Sequence, residues 1–224
     1  LKIYSRPIGN DMSLYDDVIV IRGGQIPKGT VKVSGAKNSA TRLLAAASIC
    51  DEEVALNGYP TNLVDSKHKE RFLNANNVNT RVEGETLRID PSRYTPTPLD
   101  DYYYPIRTTY LLVAGQLKRN KTAYIPYPGG CNIGDRKYDL HIMVWEAFGC
   151  TVNCEEQCIT VTRPNKLQAA KIEFPISTVG GTENALLCAC IAEGTSEIYN
   201  AYITPEIEDL MAFLRIAGAD IQVT

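Results

Sequence analysis

"DLHIMVWEAFGCTVNCEEQCITV", residues 139–161, changes its hydrophobic period halfway along, and that change decides the fold class. Leu140, Met143, Val144, Ala147 and Phe148 recur at the i, i+3, i+4, i+7, i+8 spacing of one helix face. Gly149 follows where a left-handed cap ends a helix at the lowest steric cost. From Cys150 onward the chain alternates like two short strands around a Glu-Glu-Gln turn. A helix that hands over directly to a strand pair is half of an α/β unit.

Upstream, the small-residue helix "TYLLVAGQL" (109–117) and the strand "TAYIPYPGG" (122–130) complete that unit, and the same order occurs twice more. The first copy runs "RLLAAASIC", "EVALNGYP", "DSKHKERFLNANN", "VNTRVEGETLRI" over 42–89. The third runs "ALLCACIAEG", "SEIYNAYI", "PEIEDLMAFLRIAG", "ADIQVT" over 185–224. Ile207, Leu210, Met211 and Leu214 form its second helix face, and Gly218 ends it; Asn76 or Asn77 takes that role in the first copy. The expectation is an α/β fold of three repeats, with helices packed inside their sheets. Copy three ends after one strand, which predicts a chain cut short with an unpaired edge. "VIVIRGG" and "GTVKVSG" read as a strand pair before copy one, and residues 1–17 as a separate extension.

Composition narrows the function. The 224 residues are 44% hydrophobic and 22% charged, the balance of a globular protein. The net charge of −3, with no Lys/Arg block longer than a pair, gives no basic footprint for nucleic acid or a membrane surface. No apolar run approaches the roughly 20 residues of a bilayer span, and the first residues lack a signal-peptide core, so the expected location is cytoplasmic. Seven cysteines fit free thiols better than a disulfide framework. Cys150, Cys154 and Cys158 stand four apart, but no CxxC or nearby histidine completes a zinc set, so they read as strand residues. Cys188 and Cys190 read as core.

Cys131 is different. In "YPGGCNIGDRKYDLH" (127–141) it stands between a Pro-Gly-Gly turn and a basic, glycine-containing loop. That setting suits a chemical thiol: a general acid, a nucleophile or an inert group, between which the residues alone do not choose. Comparable handovers into helices occur at "VSGAKNSATRLL" with Lys37 and Asn38, "YYYPIRTTYLL" with Arg107, and "STVGGTENALL" with Ser177 to Thr182; Arg136, Lys137 and Asp139 precede copy two's second helix. Helix N-termini attract anions, and cations converging on them suit phosphate and carboxylate groups.

Together "GTVKVSGAKNSA", "PGGCNIGDRKYDLH", "TVGGTENALL" and "PEIEDLMAFLRIAGADI" resemble the UDP-N-acetylglucosamine 1-carboxyvinyltransferase family of enolpyruvyl transferases. The resemblance runs from about residue 18 to the end and covers the first half of a family member. It implies an inside-out α/β barrel with a second domain largely absent: strands 18–36 belonging to that second domain, a three-repeat domain over 37–207, and 208–224 beginning the return. It also implies the reaction: the enolpyruvyl group of phosphoenolpyruvate passes to the 3-hydroxyl of UDP-N-acetylglucosamine, opening peptidoglycan synthesis and releasing phosphate, with no metal or organic cofactor. The implied partners are those two ligands and the missing half. Neither nucleic acid nor membrane is implied, and the intact protein is expected to be a monomer.

By position, the resemblance makes Lys37 and Asn38 the phosphoenolpyruvate pair and Arg107 a substrate-binding arginine. Cys131 becomes the lid cysteine that protonates the methylene carbon and is alkylated by fosfomycin. Arg136 serves both ligands, and the segment through Lys137, Tyr138, Asp139 and Leu140 holds the uridine, with Lys-Tyr replacing the family's usual Pro-Val. Ser177, Thr178, Val179 and Gly180 form the diphosphate turn. Two further readings stand beside this one: the same transfer to another uridine nucleotide in specialised metabolism, and a non-catalytic nucleotide-sugar binder. The family's candidate general base lies in the other half, so the chain alone is expected to be inactive.

Overall fold

A computed structural model describes residues 2–8, 14–20, 24, 26, 28–96, 107–126, 138–155 and 158–224; residues 2–8, 14–20, 107 and 108 are described as backbone only. The chain forms two compact units, Leu1–Val33 and Ser34–Thr224. In the first, β1 (Lys2–Ile8) pairs antiparallel with β2 (Leu14–Val20), Lys2 opposite Val20 and Ile8 opposite Leu14. This corrects the expected pairing of "VIVIRGG" with "GTVKVSG" and the reading of 1–17 as a separate extension. A strand's cheapest partner is the one reached by the shortest closure, and β1 is nearer in the chain than any later strand. Residues 30–36 form no strand, and Val31 and Val33 are exposed.

The second unit carries the repeats. Copy one is α1 (Lys37–Ser48), β3 (Val54–Asn57), α2 (Val64–Ala75), β4 (Asn79–Glu83) and β5 (Thr86–Asp90). Copy two is a 3₁₀ helix (Arg107–Leu112) running into α3 (Val113–Arg119), then β6 (Thr122–Pro126), α4 (Asp139–Ala147), β7 (Thr151–Cys154) and β8 (Cys158–Thr162). Their sheets have the same antiparallel order, β3-β5-β4 and β6-β8-β7, so the second strand of each hairpin lies in the middle. Leu87 and Ile89 on β5, and Ile159 and Val161 on β8, are buried on the inner face. A one-residue slip would turn them all to solvent.

Copy three differs. β9 (Lys171–Thr178) and β10 (Glu197–Ala201) pair in parallel, joined by the crossover helix α5 (Val179–Ala189), and α6 (Pro205–Ile216) follows. Pro175 has no N–H to donate, and the ladder shifts register between Tyr199 and Ala201. Asn200 sits there at φ +54° and sends its side-chain amide to the Phe174 carbonyl at 2.8 Å. The expected strand "ADIQVT" is not one: no described residue pairs with 219–224, and Arg215 instead holds the Ile221 carbonyl at 2.8 and 3.0 Å. The expected boundary at 207/208 also falls inside α6, whose buried Ile207, Leu210, Met211 and Leu214 tie it to the body.

Helices are inside and sheets outside, the inside-out α/β arrangement. The small-residue helices α1, α3 with the 3₁₀ turn that leads into it, and α5 are the most buried, with Leu44 to Ala47, Leu111 to Ala114, Ala185 and Leu187 all inaccessible. Close approach explains the choice of residues: a Cβ on Gly115 would lie 2.1 Å from Ser48 Oγ across the α1–α3 contact. Each fully buried leucine contributes about 1.5–3 kcal/mol relative to exposure. The left-handed ends predicted from composition occur at Asn77 (φ +61°), Gly149 (+83°) and Gly218 (+104°).

Candidate active site

The starts of α1, α2 and α6 meet, as do those of α5, α4 and the 3₁₀ helix, and the Arg42–Glu183 pair one turn in joins the two groups. Lys37, first residue of α1, places Nζ 3.1 Å from Asp65 Oδ2 at the start of α2. Asn38 Nδ2 donates to Glu206 Oε1 at 3.0 Å, and the Ser39 hydroxyl donates to Asp209, both acceptors lying in the opening turns of α6. At the start of α5, Gly180 lies against Tyr110 of the 3₁₀ helix and His141 of α4: a Cβ there would sit 3.0 Å from the tyrosine hydroxyl and 3.1 Å from the imidazole Cε1. The Tyr110 and His141 rings lie in contact, tilted by 31° with centroids 3.7 Å apart. Each such helix end carries roughly half a positive charge from its aligned peptides, so this face favours anions.

The two halves of the face differ in chemistry. Lys37 and Asn38 are exposed side chains, and Asp65 and Glu206 occupy their polar groups. The Asn38 bond, and then backbone N–H donation, hold the Glu206 carboxyl down at about 2. At α5 the donors are mainly backbone. Thr178 caps the helix, its hydroxyl accepting from Gly181 N at 3.3 Å, and Thr178, Val179 and Gly180 are half-buried beside exposed Ser177. Gly181 is packed too closely for any side chain, since a Cβ would lie 2.5 Å from Thr178 Cγ2 and 2.7 Å from the Phe174 ring.

Tyr138, Asp139 and Leu140 start α4 at the same end, Asp139 exposed and the other two half-buried. Arg107 begins the 3₁₀ helix that carries Tyr110, and its side chain lies outside the described residues. Cys131, Arg136 and Lys137 also lie outside them; the flanking described points are Pro126, at the end of β6 opposite Cys158, and Tyr138. Of the other cysteines, Cys188 is core as the sequence suggested, while Cys190 at the end of α5 is half-buried against that core. Cys150 and Cys190 are pushed up to about 11 by burial and Cys188 higher still, which leaves them unreactive thiols at neutral pH. Cys154 ends β7 and Cys158 begins β8, as expected of strand residues, whereas buried Cys150 precedes β7 instead of lying in it.

Beneath the face lies a charged cluster that sequence reasoning missed. Arg42 Nε is bonded to Glu183 Oε1, joining α1 to α5, and its Nη1 donates to the Asn38 carbonyl at 3.0 Å. Lys69 of α2, fully buried, donates to the Thr41 carbonyl at 2.8 Å. Burial first, then the neighbouring Arg42 charge, brings the Lys69 ammonium down to about 7; burial drives Glu183 up against the pull of Arg42. The available signal was a charge inside an apolar run, Arg42 in "ATRLLAAAS" and Glu183 in "TENALLCAC".

A family model described as EPSP synthase (3-phosphoshikimate 1-carboxyvinyltransferase) matches residues 21–224. The chain belongs to the EPSP synthase family. Within it, the chain is 38% identical over 210 residues to UDP-N-acetylglucosamine 1-carboxyvinyltransferase of Acinetobacter baylyi, covering 92% of this chain and 49% of the relative. The like-named protein of Novosphingobium aromaticivorans is 36% identical over 215 residues, covering 92% and 50%. The chain therefore spans about half the length of these relatives. The fold is that of the enolpyruvyl transferase NikO from Streptomyces tendae, with a TM-score of 0.77 at 23% identity over 90% of this chain and 47% of that one. EPSP synthase from Acinetobacter baumannii gives a TM-score of 0.69 at 15% identity, covering 88% and 45%.

Proposed function

We propose that this chain supplies one half of an enolpyruvyl transferase site that moves the carboxyvinyl group of phosphoenolpyruvate to the 3-hydroxyl of UDP-N-acetylglucosamine and releases phosphate. The observation that carries the reading is the set of helix starts at one end of the inside-out fold, with Lys37 and Asn38 at one of them. The names of its 36–38% identical relatives support the choice of donor and acceptor.

In this reading the donor's anionic groups displace Asp65 and Glu206 as partners of Lys37 and Asn38. Lys37 acts as a point charge and Asn38 as a neutral donor that fixes orientation. Cys131 gives a proton to the methylene carbon, which opens the adjacent carbon to the sugar hydroxyl, whose own proton passes to a general base in the other half; loss of phosphate and of a methyl proton then restores the double bond. Arg136 compensates phosphate charge, and Arg107 with Lys137, Tyr138, Asp139 and Leu140 holds the nucleotide. Ser177, Thr178, Val179 and Gly180 offer the α5 start to the diphosphate. The remaining catalytic groups come from the half of the protein beyond these residues, so the chain alone turns over no substrate. It works without metal or organic cofactor, in the cytoplasm, as part of cell-wall synthesis.

The experiment follows phosphate release from phosphoenolpyruvate with a panel of uridine nucleotides, for the chain alone and completed by the second half of a relative. Release with UDP-N-acetylglucosamine, abolished by Cys131→Ala, is the expected result. Release with a simpler nucleotide alone reassigns the acceptor. Saturable binding with no release from the completed protein rejects the transferase reading.

A further inference from the structure

The Arg42–Glu183 pair is out of place as a stabilising device. Glu183 is wholly inaccessible and Arg42 nearly so, between two helices whose remaining buried residues are mostly alanine and leucine but whose turns at this pair also carry Thr41, Thr182 and Asn184. Burying an ion pair generally gains no more stability than well-packed apolar residues of the same volume, and often less. Here the carboxylate is also only half used, because Glu183 Oε2 has no hydrogen-bond partner among the described residues. What the pair does achieve is geometric. Glu183 of α5 holds Arg42 Nε, and the same guanidinium reaches back one turn to the Asn38 carbonyl, which the Thr41 hydroxyl also bonds at 3.0 Å. Lys69 grips the Thr41 carbonyl, and Asp65, one turn earlier on α2, meets Lys37.

We propose that Glu183 and Arg42 are positioning residues that set the first turn of α1, and through it the aim of Asn38, from the starting turn of α5. Planar Arg suits this role, since Nε and Nη1 serve two acceptors in fixed relative directions. The inference rests on the donor-binding reading of Lys37 and Asn38 only for its functional consequence. The geometric claim stands separately: the pair communicates the place of α5 to α1, so that a ligand bridging both helix starts meets them in register.

The test uses the 224-residue chain and the side-chain amide resonances of Asn38, with phosphoenolpyruvate as titrant. Arg42→Met/Glu183→Leu replaces the pair by apolar residues and is expected to keep its melting temperature within a few degrees of the parent. The Asn38 resonances are expected to move in the free protein, and the apparent Kd for phosphoenolpyruvate to rise ~10-fold or more. Glu183→Gln, the milder change, is expected to give a smaller displacement of the same resonances. Unchanged Asn38 resonances in the folded double variant overturn the proposal. Should that variant not fold, unchanged Asn38 resonances in Glu183→Gln overturn it equally. If the chain completed by the second half of a relative shows no response to phosphoenolpyruvate, the donor-binding reading fails, while the displacement of Asn38 in the variants still decides the positioning claim.

Discussion

The starts of α1 and α5 open equivalent helices of different copies, yet they are built by opposite means. At α1 the cap residue Ala36 makes no side-chain bond, and the turn is held by charges: Lys37 to Asp65, Asn38 to Glu206, Arg42 to Glu183 beneath. At α5 a threonine caps the helix and two glycines let Tyr110, His141 and Phe174 close on the backbone. A site that must take an anion through side chains needs exchangeable acidic partners, as at α1. One that binds through main-chain N–H needs bare backbone and tight packing, as at α5.

Breaking one side of the buried pair tests the α1 design most severely. Arg42→Met leaves Glu183 buried without its cation and is expected to destabilise by about 3–5 kcal/mol, read as a lower urea midpoint. The pH dependence of stability gives the next largest effect. The Lys69 ammonium is brought down to about 7 in the folded state from the ordinary lysine value of 10.5, so between those values the unfolded chain holds a proton that the folded chain has released. Stability therefore rises with pH across that window, by up to a few kcal/mol, and the rise is absent below about 7, where both states are protonated. Arg42, Glu183 and Asp65 are the charges facing Lys69; Lys69→Met should remove the rise in urea titrations at pH 7–8, below the range where the buried thiols, raised in the folded state, contribute the opposite slope.

The α5 design is tested by smaller changes. Gly180→Ala pushes a methyl against Tyr110 and His141 and is expected to cost about 1–3 kcal/mol, with the rings' near-ultraviolet dichroism altered. Thr178→Ala removes the cap for about 1 kcal/mol. Smallest of all, Lys37→Ala breaks a pair whose lysine is 54% exposed, so thermal stability should change by less than about 1 kcal/mol while phosphoenolpyruvate binding weakens. If Gly180→Ala proved as damaging as Arg42→Met, the contrast between the two helix starts would not hold.

The repeat was legible because its signals are local. The face of α4, the stops at Gly149 and Gly218 and the alternation of β7 and β8 each arise within a few residues. Strand partners were less legible. "GTVKVSG" and "ADIQVT" have strand composition, but pairing is a property of two segments, and β2 found β1 instead. Lys37, Asn38 and Gly180 could be placed at helix starts from sequence; their neighbours could not.

By itself, then, the order of residues determined three α/β units, small-residue inner helices and the helix starts that carry Lys37 and Thr178, since i+3/i+4 spacing, caps and alternation act over one or two turns. Tertiary structure decided which acid each cation meets. Asn38 and Glu206 lie 168 residues apart, and Arg42 and Glu183 141 apart. Such pairs exist only once the helices have packed with their starts level, because charge acts through space rather than along the chain.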